Sequence, residues 1–226
     1  MALFPIKSLQ FVRGSAEGIL ILTGIGYGPS GMASMARVAR SHPDYDFFIP
    51  DYIQKSGIGA SADFLLQYRK QWKLDDYELL HVVCFIAGGY VLARVIEDNP
   101  WKNIGSVILD RSPYQERAPS IVTRKMPIVA RLLLGSFVFD LASRSYPDYG
   151  AILAPAGLKP GLLIEEKPTM LMRFFSWECK KMGPLSWEPE AMASAFLDWY
   201  RVPYNHDSIY SNFHKLAPLV FQMIRK

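Results

Sequence analysis

The sequence predicts an α/β fold, with a mainly parallel central sheet and helices on both of its faces. Short apolar runs, typical of strands buried on both sides, alternate with segments that have the apolar spacing of helices. Strands that alternate with helices in this way favour a parallel sheet. The chain has 226 residues, half of them hydrophobic. This size suits one domain with a large core, so we expect a single domain over residues 1–226.

Six segments carry the strand pattern and five carry the helix pattern, including residues 170–181, which we expect to cover the sheet. The predicted strands lie within residues 18–28, 45–50, 82–86, 105–110, 161–165 and 196–203. The clearest predicted helices lie within residues 32–39, 64–72, 90–96 and 216–224. A segment of different character, residues 119–149, is rich in Leu, Val and Phe and carries scattered arginines. It separates the fourth strand from the fifth.

Composition and charge argue against several classes of function. The net charge of +4 comes from 25 basic and 21 acidic residues that are interspersed, which gives little support for nucleic-acid binding. No run of about 18 apolar residues predicts a transmembrane helix, although peripheral contact with a membrane is compatible with the sequence. Cys84 and Cys179 lack metal-ligand spacing, so we expect no metal site. The N-terminus lacks the apolar core of a signal peptide, which makes the cytoplasm the expected location.

The central stretch of the chain runs from His81 to Ile96 and reads HVVCFIAGGYVLARVI. Its first part is a continuous apolar run, which predicts a strand buried on both faces. The run breaks at Gly88-Gly89, and from Tyr90 onward the apolar residues have helical spacing. The stretch therefore predicts a strand, a very tight turn and a helix.

This unit resembles the nucleophile elbow of α/β-hydrolases, whose motif is Gly-x-Ser-x-Gly. Cys84-Phe85-Ile86-Ala87-Gly88 takes the place of that motif, which puts Ile86 at the serine position. The resemblance is to the lipase-like and esterase-like members, and it implies an α/β-hydrolase-like fold with a helical cap inserted at about residues 113–161. Isoleucine has no group that can attack a carbonyl. The sequence thus predicts a member without the serine chemistry, a pseudoenzyme.

The same resemblance implies further site residues. His206 follows the last predicted strand, where the family keeps its catalytic base; in the alternative interpretation it is a loop histidine beside Asp207 that only caps the final helix. Asp110 ends the fourth strand and is the candidate acid, unless it pairs with Arg111 at the surface. Glu188 and Glu190 lie in the segment where many relatives carry that acid. Backbone donors for a ligand oxygen would come from the turn Gly24-Ile25-Gly26-Tyr27 and from Ala87.

A competing motif uses the same glycine-rich turn. Gly26-Tyr-Gly28-Pro-Ser-Gly31 fits Gly-x-Gly-x-x-Gly, and Asp51 ends the next strand, where a ribose-binding acid would lie. This interpretation predicts a nucleotide-cofactor oxidoreductase, but it leaves the Gly88-Gly89 turn and the placement of His206 unexplained.

Three functional hypotheses follow. The first is a non-hydrolytic protein that binds a small acyl, ester or apolar ligand, or a protein partner, in the inherited pocket. The second is an enzyme that uses His206 for chemistry without a serine, such as a lyase, an isomerase or a cofactor-free oxygenase. The third is the nucleotide-dependent oxidoreductase. The first two need no cofactor, and the oligomeric state stays open.

Overall fold

The computed structural model describes residues 7–182 and 195–226. Its centre is a seven-stranded sheet in the order β1-β3-β2-β4-β5-β6-β7, in which all neighbours are parallel except β1 and β3. The strands are β1 (Leu9–Phe11), β2 (Glu17–Leu22), β3 (Tyr45–Ile49), β4 (Leu79–Cys84), β5 (Ile104–Arg111), β6 (Gly161–Glu165) and β7 (Trp199–Val202). The predicted mainly parallel sheet is confirmed.

Helices connect most of these strands. They are α1 (Pro29–Ser41), α2 (Ile58–Gln71), α3 (Ile86–Asp98), α4 (Ala118–Lys125), α5 (Pro127–Leu134), α6 (Phe137–Ser143), α7 (Tyr149–Leu153), α8 (Met170–Phe174), α9 (Ser176–Lys181), α10 (His206–Ser211) and α11 (Phe213–Ile224). Within the described ranges, no helix has the length and apolar character needed to cross a membrane.

The two faces of the sheet carry separate apolar cores because side chains alternate along each strand. From β2, Leu20 and Leu22 point into the core shared with α2 and α3. Ile19 and Ile21 point into the core shared with α1, α10 and α11. The predicted placement of helices on both faces is therefore confirmed.

The carboxyl ends of the parallel strands meet at one edge of the sheet. Leu22 pairs with Cys84 there, and Glu165 pairs with Val202. The residues that follow β2, β4 and β7 and the last residues of β5 and β6 consequently converge on one region, as expected for a ligand site in an open parallel sheet.

The turn between β4 and α3 differs from the prediction in one respect. Helix α3 begins at Ile86, so Gly88 and Gly89 lie in its first turn and not before it. A Cβ atom on Gly88 would lie 2.5 Å from the carbonyl oxygen of Leu22, which explains why only glycine fits there. Lys73 is the one described non-glycine residue with a positive φ, so Ile86 has an ordinary backbone conformation. The strain that the motif imposes on a serine nucleophile is absent at Ile86.

Candidate functional site

His206 is held at the start of a short, well-capped helix. It is the first residue of α10, and the Asn205 side chain accepts a hydrogen bond from the backbone N–H of Ser208. The Ser208 hydroxyl in turn bonds the backbone of Asn205, which completes a capping box. Asn205, and not His206, therefore caps the helix. The His206 imidazole is buried and takes no part in the cap.

Both nitrogens of the His206 imidazole have buried partners. Nδ1 lies 2.9 Å from Oε1 of Glu165, and Nε2 lies 3.1 Å from the hydroxyl of Tyr210. The backbone N–H of Gly24 donates to the same hydroxyl oxygen over 2.9 Å. One tautomer satisfies all three bonds: Tyr210 donates to Nε2, and Nδ1–H donates to Glu165. The groups thus form a continuous hydrogen-bonded chain from the turn after β2 to the end of β6.

Asp110 extends this chain at the Glu165 end. Asp110 and Glu165 are fully buried, and one donor atom from each of Asp110, Glu165 and His206 lies within 4.8 Å of the others. Burial, followed by the charge of Glu165, raises the pKa of Asp110 well above its ordinary value. With both carboxyls ionised, neither Asp110 oxygen would have a donor among the described residues. A proton retained on one Asp110 oxygen makes that oxygen a donor, which can hydrogen-bond to the Glu165 carboxylate.

The carboxylate that touches the imidazole is therefore Glu165, which the sequence analysis did not single out as a site residue. Asp110 lies one strand away and reaches His206 through Glu165. Asp110 is also completely buried, so the alternative that placed it at the surface is wrong. Glu188 and Glu190 lie outside the described residues. A signal for Glu165 did exist, since a carboxylate ends the apolar strand GLLIE directly before the segment that leads to His206.

Tyr210 is the second site residue that the sequence analysis missed. It lies four residues after His206, so both side chains project from the same face of α10. The ring packs against Tyr27 and Phe85, with centroid distances of 5.7 Å and 4.6 Å. Burial raises the pKa of its hydroxyl well above the ordinary value, so Tyr210 stays protonated and acts as a hydrogen-bond donor.

An apolar cavity of about 130 Å³ lies beside this hydrogen-bonded chain. Ile86, Ala87, Ile25 and His206 line it on the side of the sheet. Helices α4, α5, α6 and α8 close the other side with Ala118, Pro119, Val122, Leu134, Val138, Leu141 and Leu171. Apart from His206, the one polar side chain in the lining is Gln115. A cavity of this composition favours an apolar ligand.

The glycine-rich turn after β2 lies beside two cavities. Gly24, Ile25, Gly26 and Tyr27 all line a neighbouring space of about 20 Å³, and Ile25 also lines the apolar cavity. A space of that size holds roughly one water molecule. Of the four predicted turn residues, Ile25 is thus the one whose side chain faces the apolar cavity with Ala87.

Comparisons with known proteins identify the fold. No protein-family model matches the chain, and a search of curated proteins found no match. Solved structures do match: lipase BlEst2 of Bacillus licheniformis has a TM-score of 0.65 and 14% identity, over 95% of this chain and 98% of that one. A bromoperoxidase of Bacillus anthracis has a TM-score of 0.60 and 12% identity, over 95% and 94% of the two chains. The chain has the α/β-hydrolase fold.

A third structure with the same architecture is that of AqDC, which gives the structural basis for recognition and ring-cleavage of the Pseudomonas quinolone signal by that protein. Its TM-score is 0.55 at 9% identity, over 97% of this chain and 96% of that chain. At these identities, the likeness establishes the fold and leaves the chemistry to be argued from the residues of this chain.

The packing of α10 accounts for the last glycine of the competing dinucleotide motif and for a glycine that precedes the motif. A Cβ atom on Gly31 would lie 2.8 Å from the Cβ of Tyr210, and one on Gly24, before the motif, would lie 2.6 Å from the Tyr210 hydroxyl. Both glycines are therefore required by the close approach of α10 to the turn and to α1. The fold that the dinucleotide interpretation predicted is wrong.

Asp110, Glu165 and His206 form the one group in the described chain with the proximity of metal ligands. The 2.9 Å hydrogen bond between Nδ1 of His206 and Oε1 of Glu165 already occupies the space between two of the three donors. The other histidines have structural partners: His81 bonds Ser106 and Glu17, His214 bonds Ser34, and His42 stacks on Phe221.

Proposed function

We propose that this chain is a non-hydrolytic α/β-hydrolase-fold protein that binds a small apolar or acyl ligand in the cavity above Ile86. The observation that carries the proposal is that two side chains, Ile86 and Tyr210, occupy the nucleophile position and the base nitrogen of His206. Ile86 forms the floor of the cavity where the motif would place a nucleophile. The Tyr210 hydroxyl engages the imidazole nitrogen that would otherwise take up the proton of a nucleophile.

The size and lining of the cavity define the ligand class. An engineered apolar cavity of roughly 150 Å³ stays dry and binds benzene, so a space of about 130 Å³ suits a single ring or a short acyl chain. Drug-sized ligands need pockets of about 300–1,000 Å³. A ligand carbonyl could meet the polar groups of Gln115 or His206, while its apolar part packs against α4, α5 and α6.

A second candidate is serine-independent chemistry that uses the buried His206–Glu165 pair as a base. The observation that favours it is that His206 lines the cavity and keeps a carboxylate on Nδ1. AqDC has the same fold, and its structure concerns ring-cleavage of the Pseudomonas quinolone signal. In this chain the Tyr210 hydroxyl already engages Nε2 of His206, which makes this candidate the weaker one.

Ligand-observed NMR with toluene and butyl acetate tests the proposed binding. Val122 lies on α4 in the cavity lining, and Val122→Phe should fill the space and abolish saturation transfer to both probes. Val122→Ala perturbs the same position but enlarges the cavity, so this control should still bind. Equal transfer in the two variants would place the probes elsewhere and reject the cavity as the ligand site.

A further inference from the structure

An apolar surface lies beside the mouth of the cavity, and most of its side-chain area is exposed. Six large side chains form it: Ile128, Leu132 and Leu133 on α5, and Met170, Phe174 and Trp177 on α8 and α9, with 58–86% of each exposed. We call these six residues the apolar surface. Monomeric proteins rarely expose so many large apolar groups together, and such a patch marks an interaction site.

Helix α5 shows that this exposure is built into the sequence. The helix reads PIVARLLL, and Ala130 is its one fully buried residue. Ile128 and Leu132 lie one turn apart on the same face, as do Val129 and Leu133, and all four point outward. A helix that packed against its own core would bury this face. Its partner must therefore come from outside the described chain.

Charge around the apolar surface is strongly positive. Residues 118–134 and 170–182 contain six basic residues, Arg124, Lys125, Arg131, Arg173, Lys180 and Lys181, and one acidic residue, Glu178. Arg124 and Lys125 both pair with Glu178 at 2.9 Å, so the single acid is already neutralised. The Lys181 ammonium lies 3.1 Å from the ring centroid of Trp177. The surface thus combines exposed apolar anchors with excess positive charge.

We propose that this surface docks the protein on an anionic lipid bilayer. Apolar side chains flanked by Lys and Arg are the features that bind a membrane interface, and each basic residue near an anionic surface strengthens binding. Trp is also favoured at the level of the lipid headgroups. Leu134 and Leu171 line the cavity and belong to α5 and α8, so the docked face adjoins the cavity mouth. Docking goes beyond the proposed ligand binding and requires no ligand in the cavity.

Co-sedimentation with large vesicles tests the docking. The full chain should bind vesicles of phosphatidylcholine mixed with phosphatidylglycerol and should bind pure phosphatidylcholine weakly. The variant Ile128→Ser, Leu132→Ser, Phe174→Ser should lower the partition coefficient by roughly tenfold or more. Val12 and Leu79 are exposed apolar residues outside the surface, and Val12→Ser with Leu79→Ser is the matched control that should leave binding unchanged.

A charge variant separates the electrostatic contribution. Arg131→Gln, Arg173→Gln and Lys180→Gln together should weaken binding to the anionic vesicles by roughly tenfold or more and flatten its salt dependence. The control Arg37→Gln, Lys70→Gln, Lys215→Gln removes three exposed charges elsewhere.

Equal vesicle binding by the surface variants and their controls would overturn the proposal. So would a dimer that the apolar variant dissociates without any vesicle binding, since a second copy would then cover the surface. Toluene binding tests the cavity proposal separately, so a protein that binds toluene but not the vesicles contradicts the docking proposal alone.

Discussion

The hydroxyl of Tyr210 lies 3.1 Å from Nε2 of His206, on the nitrogen that faces away from Glu165. The backbone N–H of Gly24 donates to the same hydroxyl. One buried tyrosine thus occupies both the base nitrogen of the histidine and a backbone donor of the turn after β2. In a serine hydrolase, a histidine nitrogen in this role accepts the proton of the nucleophile.

Removal of the Tyr210 hydroxyl should destabilise the protein. Tyr210→Phe leaves the Gly24 N–H and Nε2 of His206 buried without that partner, so we expect a loss of about 1–3 kcal/mol in the free energy of unfolding. Tyr27→Phe is the control because the Tyr27 hydroxyl is buried without a hydrogen-bond partner among the described residues. Urea unfolding should show the control to be neutral or stabilising. Equal losses in both variants would show that the Tyr210 hydrogen bonds contribute nothing specific.

The same tyrosine should suppress a rebuilt nucleophile. We expect Ile86→Ser alone to stay unlabelled by a fluorophosphonate probe, because Nε2 of His206 is engaged by Tyr210. Ile86→Ser combined with Tyr210→Phe should label slowly, and adding His206→Ala should abolish that labelling. Gel fluorescence of folded variants measures all three. Labelling that persists without His206 would show that the probe reacts at another site.

Asp110 should make stability depend on pH. Its pKa is raised, so the native state keeps a proton that the unfolded chain loses above pH of about 4. The free energy of unfolding should therefore fall as pH rises from that value. Asp110→Asn has no proton to lose. The difference in unfolding free energy between this variant and the wild-type protein should therefore shift in favour of the variant as pH rises, by at most about 1.4 kcal/mol per pH unit. Exposed Asp63→Asn serves as the surface control for urea unfolding across pH. A pH-independent difference for Asp110→Asn would contradict the retained proton.

The tight turn after β4 should tolerate no side chain at Gly88. Gly88→Ala places a methyl group 2.5 Å from the backbone oxygen of Leu22, and backbone cannot move aside cheaply. We expect a loss of at least about 2 kcal/mol. Gly59→Ala, in the first turn of α2, meets no atom within 4 Å and should gain up to about 1 kcal/mol. Thermal unfolding checks both variants, and similar effects in the two would refute the packing argument.

The sequence was sufficient to predict six of the seven strands and the elbow because these depend on local patterns, whereas the short antiparallel strand β1 was not predicted. The apolar run at Val82 and Val83 requires burial on both faces, and Gly88 marks a close approach of backbone to backbone. The helix was predicted from Tyr90 but begins at Ile86, since glycines in a first helical turn give no apolar periodicity.

The partners of His206 were not predictable in the same way. His206 and Glu165 are 41 residues apart, and their contact depends on the register between β6 and β7. Asp110 was selected from its strand-end position and from the resemblance to lipase-like proteins, although Glu165 occupies an equivalent position one strand further along the sheet. The role of Tyr210 depends on the approach of α10 to Gly24, 186 residues away in the chain. No local pattern specifies such contacts.

The proposed function requires that the cavity bind apolar or acyl compounds without hydrolysing them. Phenyl acetate tests it in one NMR sample, because saturation transfer reports binding while the acetate signal reports hydrolysis. We expect saturation transfer to the phenyl and acetyl protons of phenyl acetate, lost in Val122→Phe, with acetate released at the rate of buffer alone. Acetate release that depends on the protein and disappears in His206→Ala would contradict the proposed function and show a working hydrolase.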